Sequence, residues 1–582
     1  MSFSDRIFFF LQETHPMHDI RFSALFLTLF LINSNSFSQI SEPDDKSFSV
    51  GSSISLRKEE SYPTDVIHTE EATYLIASRK SKYAGGKPNL WIFDPSSLQM
   101  KEKVEPNLEV DGEKNFYLTH FELSGNLYLV SGNNDRKQEV RKIYSHKLDK
   151  EGKIQSSKLI AEIGLGGVKN IYGKRGRALI IARELSFHVV KSPDQKSIGF
   201  FFPNDFKNGN NTWSLRVYDS TFQLTKSEEF AIQEEGVHLK DAVLTNDHDV
   251  FALGLCDFSL LKHDIALLSS SPFESLYPVG SSYILYHFNS ELKSTNSTDL
   301  MLTENGVLCS KLAIIDDEVL CYGYAGEVKS GLLNANVNIR ARGCFFVKSN
   351  LQGEVEFNQY YDFNEGWYKY TFHPENVVLK KSDLNRRRED FLLGDVFKND
   401  QGDYMILAEK YQYLYIHSSS SGMGGRATVD NSSENFIYGD IAVISLSNDG
   451  DLNWMRRFNK YESYGKETSF VSSYHASLTD NKLSLFINDF LYWTDKDKFD
   501  SLGKSEVEEA SKQSVLSEII IDEKGESQRN AVITFGDNQE ERVSCKSLRV
   551  SEDGDLLFFT RFLGGSKLAL RHHYIRMGKK VY

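Results

Sequence analysis

Three observations predict an all-β fold, a β-propeller of eight four-stranded blades, with seven blades as the alternative. An apolar run, a tight Asp/Asn/Gly turn and a second apolar run recur along the chain, for example at Glu122–Val130, Lys398–Leu407 and Val550–Phe559. Turns of two kinds alternate, as strands hairpinned in fours require. Phe (40) and Tyr (28) are abundant and Pro (11) is scarce, which favours pleated, half-buried strands over helices.

The first kind of turn centres on Glu70-Glu71, Ser124-Gly125, Asp194-Gln195, Asn246-Asp247, Asp316-Asp317, Asp400-Gln401, Asp480-Asn481 and Asp553-Gly554. Asp, Asn and Gly suit such turns because they tolerate positive φ or hydrogen-bond their own backbone. An apolar strand follows each: Tyr74–Ile76, Leu127–Val130, Ile198–Phe202, Val250–Leu253, Val319–Tyr322, Tyr404–Leu407, Leu483–Ile487 and Leu556–Phe559. The second kind follows another apolar strand, at Asp94–Ser97, Asp149–Gly152, Asp219–Phe222, Asn289–Leu292, Ser349–Gly353, Ser447–Gly450 and Asp522–Gly525. The eighth unit ends in Leu568–Ile575 with no such turn, so it lacks an outer strand.

A spare strand-like stretch, Phe48–Leu56, precedes unit one. Pairing it with the last unit closes the ring and hides an edge. Residues 39–582 give 68 per unit over eight, more than the roughly 40–50 of a short blade, so the surplus lies in loops. The segments near 160–190 and 365–390 fit no unit and keep the seven-blade alternative open.

Val190-Lys191-Ser192-Pro193-Asp194 before an aromatic strand, and Tyr438-Gly439-Asp440 through Asp449-Gly450…Trp454, resemble repeats of secreted bacterial β-propellers. The style is similar to WD-like and pyrroloquinoline-quinone-like repeat proteins of Bacteroidetes. The resemblance implies a propeller and an exported protein. The Asp-Gly…Trp docking pattern of quinone dehydrogenases is clear only at Asp449-Gly450…Trp454, which argues against that enzyme.

Residues 1–38 read as an N-terminal extension and signal peptide, and 39–582 as a single propeller domain. Met17–Arg21 forms a short n-region, Phe22–Ile32 an apolar h-region and Ser36-Phe37-Ser38 a small-residue cleavage site, with Met17 read as the start. The expectation is export, to the periplasm or cell exterior, after cleavage near Ser38. No later segment is apolar enough to span a membrane.

The net charge of −14 disfavours nucleic acid, and the cluster Lys169, Lys174, Arg175 and Arg177 reads as a solvated loop. Five cysteines in a chain of this length make no disulfide framework. About the Asp316-Asp317 turn, Cys321 would face Leu312 while Cys309 points to the other sheet face, so these two read as buried apolar residues.

Local motifs for chemistry are missing. The histidines are scattered, with no zincin pair, and no Gly-x-Ser-x-Gly elbow occurs. Gly164–Gly167 and Gly503-Lys504-Ser505 lack the further glycines a phosphate loop needs. Asp449–Asn453 and Asp553–Asp555 read as turns rather than calcium loops. The sequence therefore assigns no catalytic residue, no metal ligand, no cofactor and no particular binding residue.

In the propellers this chain resembles, connections between second and third strands, and between blades, share one face; here they are long, at Lys80–Asn89, Asn133–Glu139, Asn204–Thr212, Lys262–Ser281, Gly326–Arg342, His417–Tyr438 and Trp493–Ser514. Long loops gathered on one face suit recognition. Tyr411, Tyr413 and Tyr415, before the Ser418–Gly425 loop, either line a saccharide or peptide platform or form one exposed strand face. Lys504–Lys512 reads as a short surface helix. Three readings follow. One is a non-enzymatic scaffold binding a protein or glycan through the long-loop face. Another is a secreted carbohydrate-active hydrolase or lyase with paired carboxylates near the central channel. The third is a structural subunit of an envelope assembly.

Overall fold

A computed structural model describes residues 48–581 apart from 57–62, 70, 79–86, 136, 165–186, 205–211, 233–237, 257–281, 290–293, 301–305, 331–336, 364–389, 420–429, 461, 466–470, 495–512, 536–540, 552–554 and 565–571. The signal segment, the basic cluster at 169–177 and the surface helix expected at 504–512 lie outside the described residues.

Two short strands come first, β1 (Phe48–Val50) and β2 (Ile54–Leu56). Blade one is β3 (Pro63–His68), β4 (Thr73–Ser78), β5 (Pro88–Phe93) and β6 (Met100–Val104). Blade two is β7 (Phe116–Leu123), β8 (Asn126–Asp135), β9 (Val140–Leu148) and β10 (Ile154–Gly164). Blade three is β11 (His188–Lys191), β12 (Ser197–Pro203), β13 (Thr212–Asp219) and β14 (Leu224–Ala231). Blade four is β15 (His238–Leu244), β16 (Val250–Cys256), β17 (Ser282–Asn289) and β18 (Ser294–Leu300). Blade five is β19 (Gly306–Ile315), β20 (Glu318–Ser330), β21 (Val337–Asn350) and β22 (Val355–Asp362).

Blade six is β23 (Asp390–Lys398), β24 (Tyr404–Ser419), β25 (Asp430–Leu446) and β26 (Leu452–Phe458), with β27 (Glu462–Gly465) paired to β25. Blade seven is β28 (Tyr474–Thr479), β29 (Lys482–Phe490), β30 (Ser514–Ile521) and β31 (Ser527–Thr534). Blade eight has a broken inner strand, β32 (Arg542–Val543) and β33 (Arg549–Val550), around one 3-10 turn at Cys545–Ser547. It continues as β34 (Leu556–Gly564) and β35 (His572–Lys580).

The result is an eight-bladed β-propeller. The chain's own start supplies the missing outer strand: β1 pairs antiparallel with Gly578–Lys580 and β2 with His573–Ile575. The Phe48 ring sits 6.2 Å from both Phe535 of blade seven and Phe558 of blade eight.

The alternation of strand side chains explains the ring. In β4, Tyr74 and Ile76 pack toward blade two while Leu75 and Ala77 pack toward blade eight. The buried apolar residues described sort into eight clusters, one at each blade–blade interface. A blade buries both faces, so its central strands are apolar at nearly every position, as in Ser197–Pro203, all seven buried. The blade two–three interface is built of rings, with Tyr218 and Phe222 stacked at 4.5 Å and Phe121 and Tyr128 at 4.9 Å.

The turns among the described residues behave as the sequence predicts; those expected at Glu70-Glu71, Asn289–Leu292 and Asp553-Gly554 lie wholly or partly outside them. Ser124-Gly125, Asp316-Asp317 and Asp480-Asn481 all have positive φ at both positions, the two-residue hairpin geometry. At the second kind of turn in blades three, five and seven, Asp219, Asn350 and Asp522 each accept from the backbone N–H two and four residues on. Ser447–Asp451 is such a turn, with Gly450 N–H donating to Ser447 O. Leu312 pairs with Cys321 and Cys309 with Tyr324, which puts the two cysteines in different interface clusters. Cys309, Cys321, Cys344 and Cys545 are buried free thiols.

Two expected loops are partly strand. Ser418 and Ser419 belong to β24, paired with Asn431 and Asp430. In blade five, pairing continues through Ser330 and Val337. The middle hairpins of blades five and six simply keep pairing after their blades end.

Candidate functional site

Antiparallel blades fix the geometry of the two faces. First and second turn types share one face; connections between second and third strands, and between blades, share the other. Each inner strand starts at the long-connection face and ends at the tight-turn face.

A cavity of about 470 Å³ lies among the inner strands of blades one, two, seven and eight. Val66 to His68, Glu122, His475 and Ser477, and Lys546 to Val550 line it. Glu122 and Val550 immediately precede tight turns, so this end of the cavity reaches that face. The other end is marked by Lys546, whose Nζ stands 5.3 Å over the ring of Tyr438. Tyr438 belongs to blade six at the long-connection face.

The broken inner strand of blade eight makes this possible. Its 3-10 turn pushes Lys546 out of the ladder and leaves it exposed. The turn is held on all sides. Asn488 of blade seven donates to Val543 O at 2.8 Å and accepts from Val543 N–H at 2.7 Å, an amide standing in for a strand. Ser544 N–H donates to Phe559 O at 2.8 Å. His68 Nε2–H donates to Ser547 O at 3.0 Å. A carbonyl only accepts, so His68 carries its proton on Nε2, and Nδ1 accepts from the Thr73 hydroxyl at 3.0 Å. Burial, the largest cause, lowers the His68 pKa to about 4, and Arg549 nearby adds to the shift.

Above Lys546 lies a buried ionic knot. Lys460 Nζ meets Glu409 Oε1 at 2.7 Å and also meets Glu462; all three residues are buried. Ser473 Oγ donates to Glu409, and Ser473 N–H to Glu462 at 2.9 Å. Burial alone would lower the ammonium's pKa; the two carboxylates outweigh it and hold Lys460 above its usual range. Burial also raises Glu462 against the pull of Lys460. The knot fastens the root of the blade six hairpin to blade seven. Lys460 stands 5.8 Å over the Tyr438 ring, and Tyr411 lies 5.3 Å from Tyr438 across the pair.

From this root the β24–β25 ribbon extends past its blade, with residues 411–419 paired to 430–438. The register sets Tyr411 opposite Tyr438, Tyr413 opposite Phe436 and Tyr415 opposite Glu434. Directly opposed positions share a face, as the Tyr411 and Tyr438 rings do, and Tyr438 is itself buried at the root.

A second polar group links the inner strands of blades one and two. Tyr117 O–H donates to His120 Nδ1 at 2.5 Å, and His120 Nε2–H donates to Asp65 Oδ2 at 3.0 Å. Asp65 is the exposed end of this relay, its side chain 55% accessible. Burial raises the Tyr117 pKa, with Asp65 adding to it.

The sequence marks none of Lys546, Arg549, His68, His475, Glu122 or the Tyr117–His120–Asp65 relay. They are single polar residues on separate inner strands, and only the ring brings them together. No group of three or more metal-ligating side chains occurs among the described residues. No helix among them is long and apolar enough to cross a membrane.

No family model matches the chain, and no curated protein matches it in sequence. Among solved structures, the polysaccharide lyase Uly1 aligns over 90% of this chain and 91% of its own, at 8% identity and a TM-score of 0.33. A variant of the apocarotenoid oxygenase of Synechocystis aligns over 69% of this chain and 74% of its own, at 11% identity and a TM-score of 0.30. At these values neither likeness bears on this chain's chemistry. Fold and site together define an eight-bladed propeller with a partly basic cavity among the inner strands of four blades.

Proposed function

We propose that this protein is an exported propeller that binds a glycan along the β24–β25 ribbon and the channel mouth at its root, without transforming it. The carrying observation is the cavity of about 470 Å³ in which exposed Lys546 and Arg549 stand beside apolar Val66, Ile67 and Leu548, at the root of the ribbon that carries the alternating Tyr411, Tyr413 and Tyr415 of the sequence. Flat aromatic rings with polar rims suit the faces of sugar rings. The Glu409–Lys460–Glu462 knot holds the platform's root rigid, which lowers the ordering cost of binding. The signal-like segment 17–38 and the resemblance to repeats of exported bacterial propellers support export.

A panel of soluble polysaccharides tests this reading. The variant Tyr413→Ala/Tyr415→Ala is expected to weaken glycan binding about tenfold or more with unchanged unfolding. Binding unaffected by the double variant, or a panel with no binder, overturns it. So does a protein partner that uses the same face while no glycan binds.

A second reading, a carbohydrate-active hydrolase or lyase, draws on the Tyr117–His120–Asp65 relay. A hydrolase of the two-carboxylate kind needs two free carboxyls flanking the bond. Glu122 is occupied by Lys191 at 3.1 Å and by Gly125 N–H at 2.6 Å, which favours binding over hydrolysis. New reducing ends or unsaturated uronyl products from any panel member, lost in Asp65→Asn, would establish the enzyme instead.

A further inference from the structure

We infer that the bound glycan is acidic, a uronate or sulfated polysaccharide whose anionic groups enter the channel mouth at Lys546 and Arg549. This rests on the glycan reading and adds the charge of the ligand. Lys546 and Arg549 are both exposed and both line the cavity. Neither has a carboxylate partner among the described residues. Glu122, the carboxylate of the lining, is already neutralised by Lys191. His68 is neutral, its protonated nitrogen committed to Ser547 O. The lining therefore carries two uncompensated positive charges inside a chain of net charge −14.

The walls around them are apolar: Val66, Ile67, Leu548 and Val550. Low-dielectric walls strengthen and focus the field of the two cations on whatever enters. A retained pair of cations is unfavourable by itself, and an anionic ligand relieves that repulsion. Position matters as much as sign. Lys546 stands over Tyr438 at the buried root of the ribbon, so a glycan lying along the ribbon brings its carboxylate or sulfate to the ammonium. The bonds from Asn488, Ser544 and His68 keep the 3-10 turn in place before a ligand arrives. Preorganised cations lose little entropy on binding.

Calorimetric titration with polygalacturonate, dextran sulfate and neutral dextran tests the inference and separates carboxylate from sulfate. The expected result is at least tenfold tighter binding of one or both anionic polymers than of dextran, weakening as salt rises. Lys546→Gln/Arg549→Gln is expected to reduce that binding at least tenfold, with the thermal unfolding curve unchanged because both side chains are exposed. Equal binding of dextran, or anionic binding untouched by the double variant, overturns the inference and leaves the glycan reading standing. Failure of all three polymers and of a wider neutral panel removes both. Single-stranded DNA binding as tightly as the best polysaccharide also overturns it, because charge alone would then explain the affinity.

Discussion

His146 is fully buried in blade two, between the Ser131 hydroxyl at 2.6 Å and the Ser157 hydroxyl at 2.8 Å. Burial lowers its pKa to about 4 from 6.5. The unfolded chain therefore binds a proton that the folded one refuses between those values. Stability rises with pH through that window and is lost as pH falls from about 6.5 toward 4, by about 3 kcal/mol for this one group. His146→Gln is expected to flatten the stability–pH curve there by close to one proton, as denaturant midpoints across pH would report. The same scale holds the ionic knot. Lys460→Met strands two buried carboxylates and is expected to destabilise by about 3–5 kcal/mol in urea unfolding. A much smaller loss would mean that the knot is not closed. The thiols are inert for a related reason: burial pushes Cys344 up to about 12, and Cys545 is also raised by burial, with Glu462 adding to it. A thiol reagent is expected to leave Cys309, Cys321, Cys344 and Cys545 unmodified until the chain unfolds.

At the scale of the element, the second kind of turn does more than reverse the chain. Gly525 of blade seven lies over Trp454 of blade six, where a Cβ would come within 2.9 Å of the indole. Trp454 Nε1–H donates to Glu523 O at 2.8 Å in the same turn. Gly450 sits over Phe357 in the same way. In blade three Phe222 takes the left-handed position itself, at φ 61°, and reaches back to pack at a tilt against Tyr128, with ring centroids 4.8 Å apart. The docking pattern clear in sequence only at Trp454 thus recurs with other side chains, because any flat or apolar surface beneath the turn serves. Gly525→Ala and Gly112→Ala share a positive φ, but a Cβ at Gly112 meets nothing within 4 Å. The first is expected to lose about 1 kcal/mol more than the second. Equal losses in denaturant unfolding would mean that turn docking contributes little.

For the whole molecule, closure is the decisive feature. β1 and β2 cover the outer edge of β35, which would otherwise expose unpaired N–H and C=O groups. Phe48→Ala removes one half-buried ring from the blade seven–eight interface and is expected to cost about 2 kcal/mol. A chain beginning at residue 57 is expected to unfold at markedly lower denaturant and to self-associate through the bared edge, visible by size-exclusion chromatography. A monomer of unchanged stability would show that the ring does not depend on its first strand.

How much of this was legible depends on whether the signal is local. Hairpins announce themselves within a few residues, so Asp316-Asp317 and Asp480-Asn481 mark their turns without help from the rest of the chain. The missing outer strand of unit eight and the spare strand at Phe48–Leu56 likewise pointed to each other. Segments 160–190 and 365–390 blurred the count, yet β10 ends at Gly164 and β23 begins at Asp390, and both belong to regular blades. The sequence by itself determined strands, turns and closure, and favoured eight blades with seven left open, because alternation and turn chemistry are read over short spans. Only the tertiary structure decided which residues meet: Lys546 with Tyr438, His68 with Ser547, Tyr117 and His120 with Asp65, and Tyr411 with Tyr438. Those partners stand far apart along the chain or on facing strands. The ring and the hairpin register, not local pattern, set their separation.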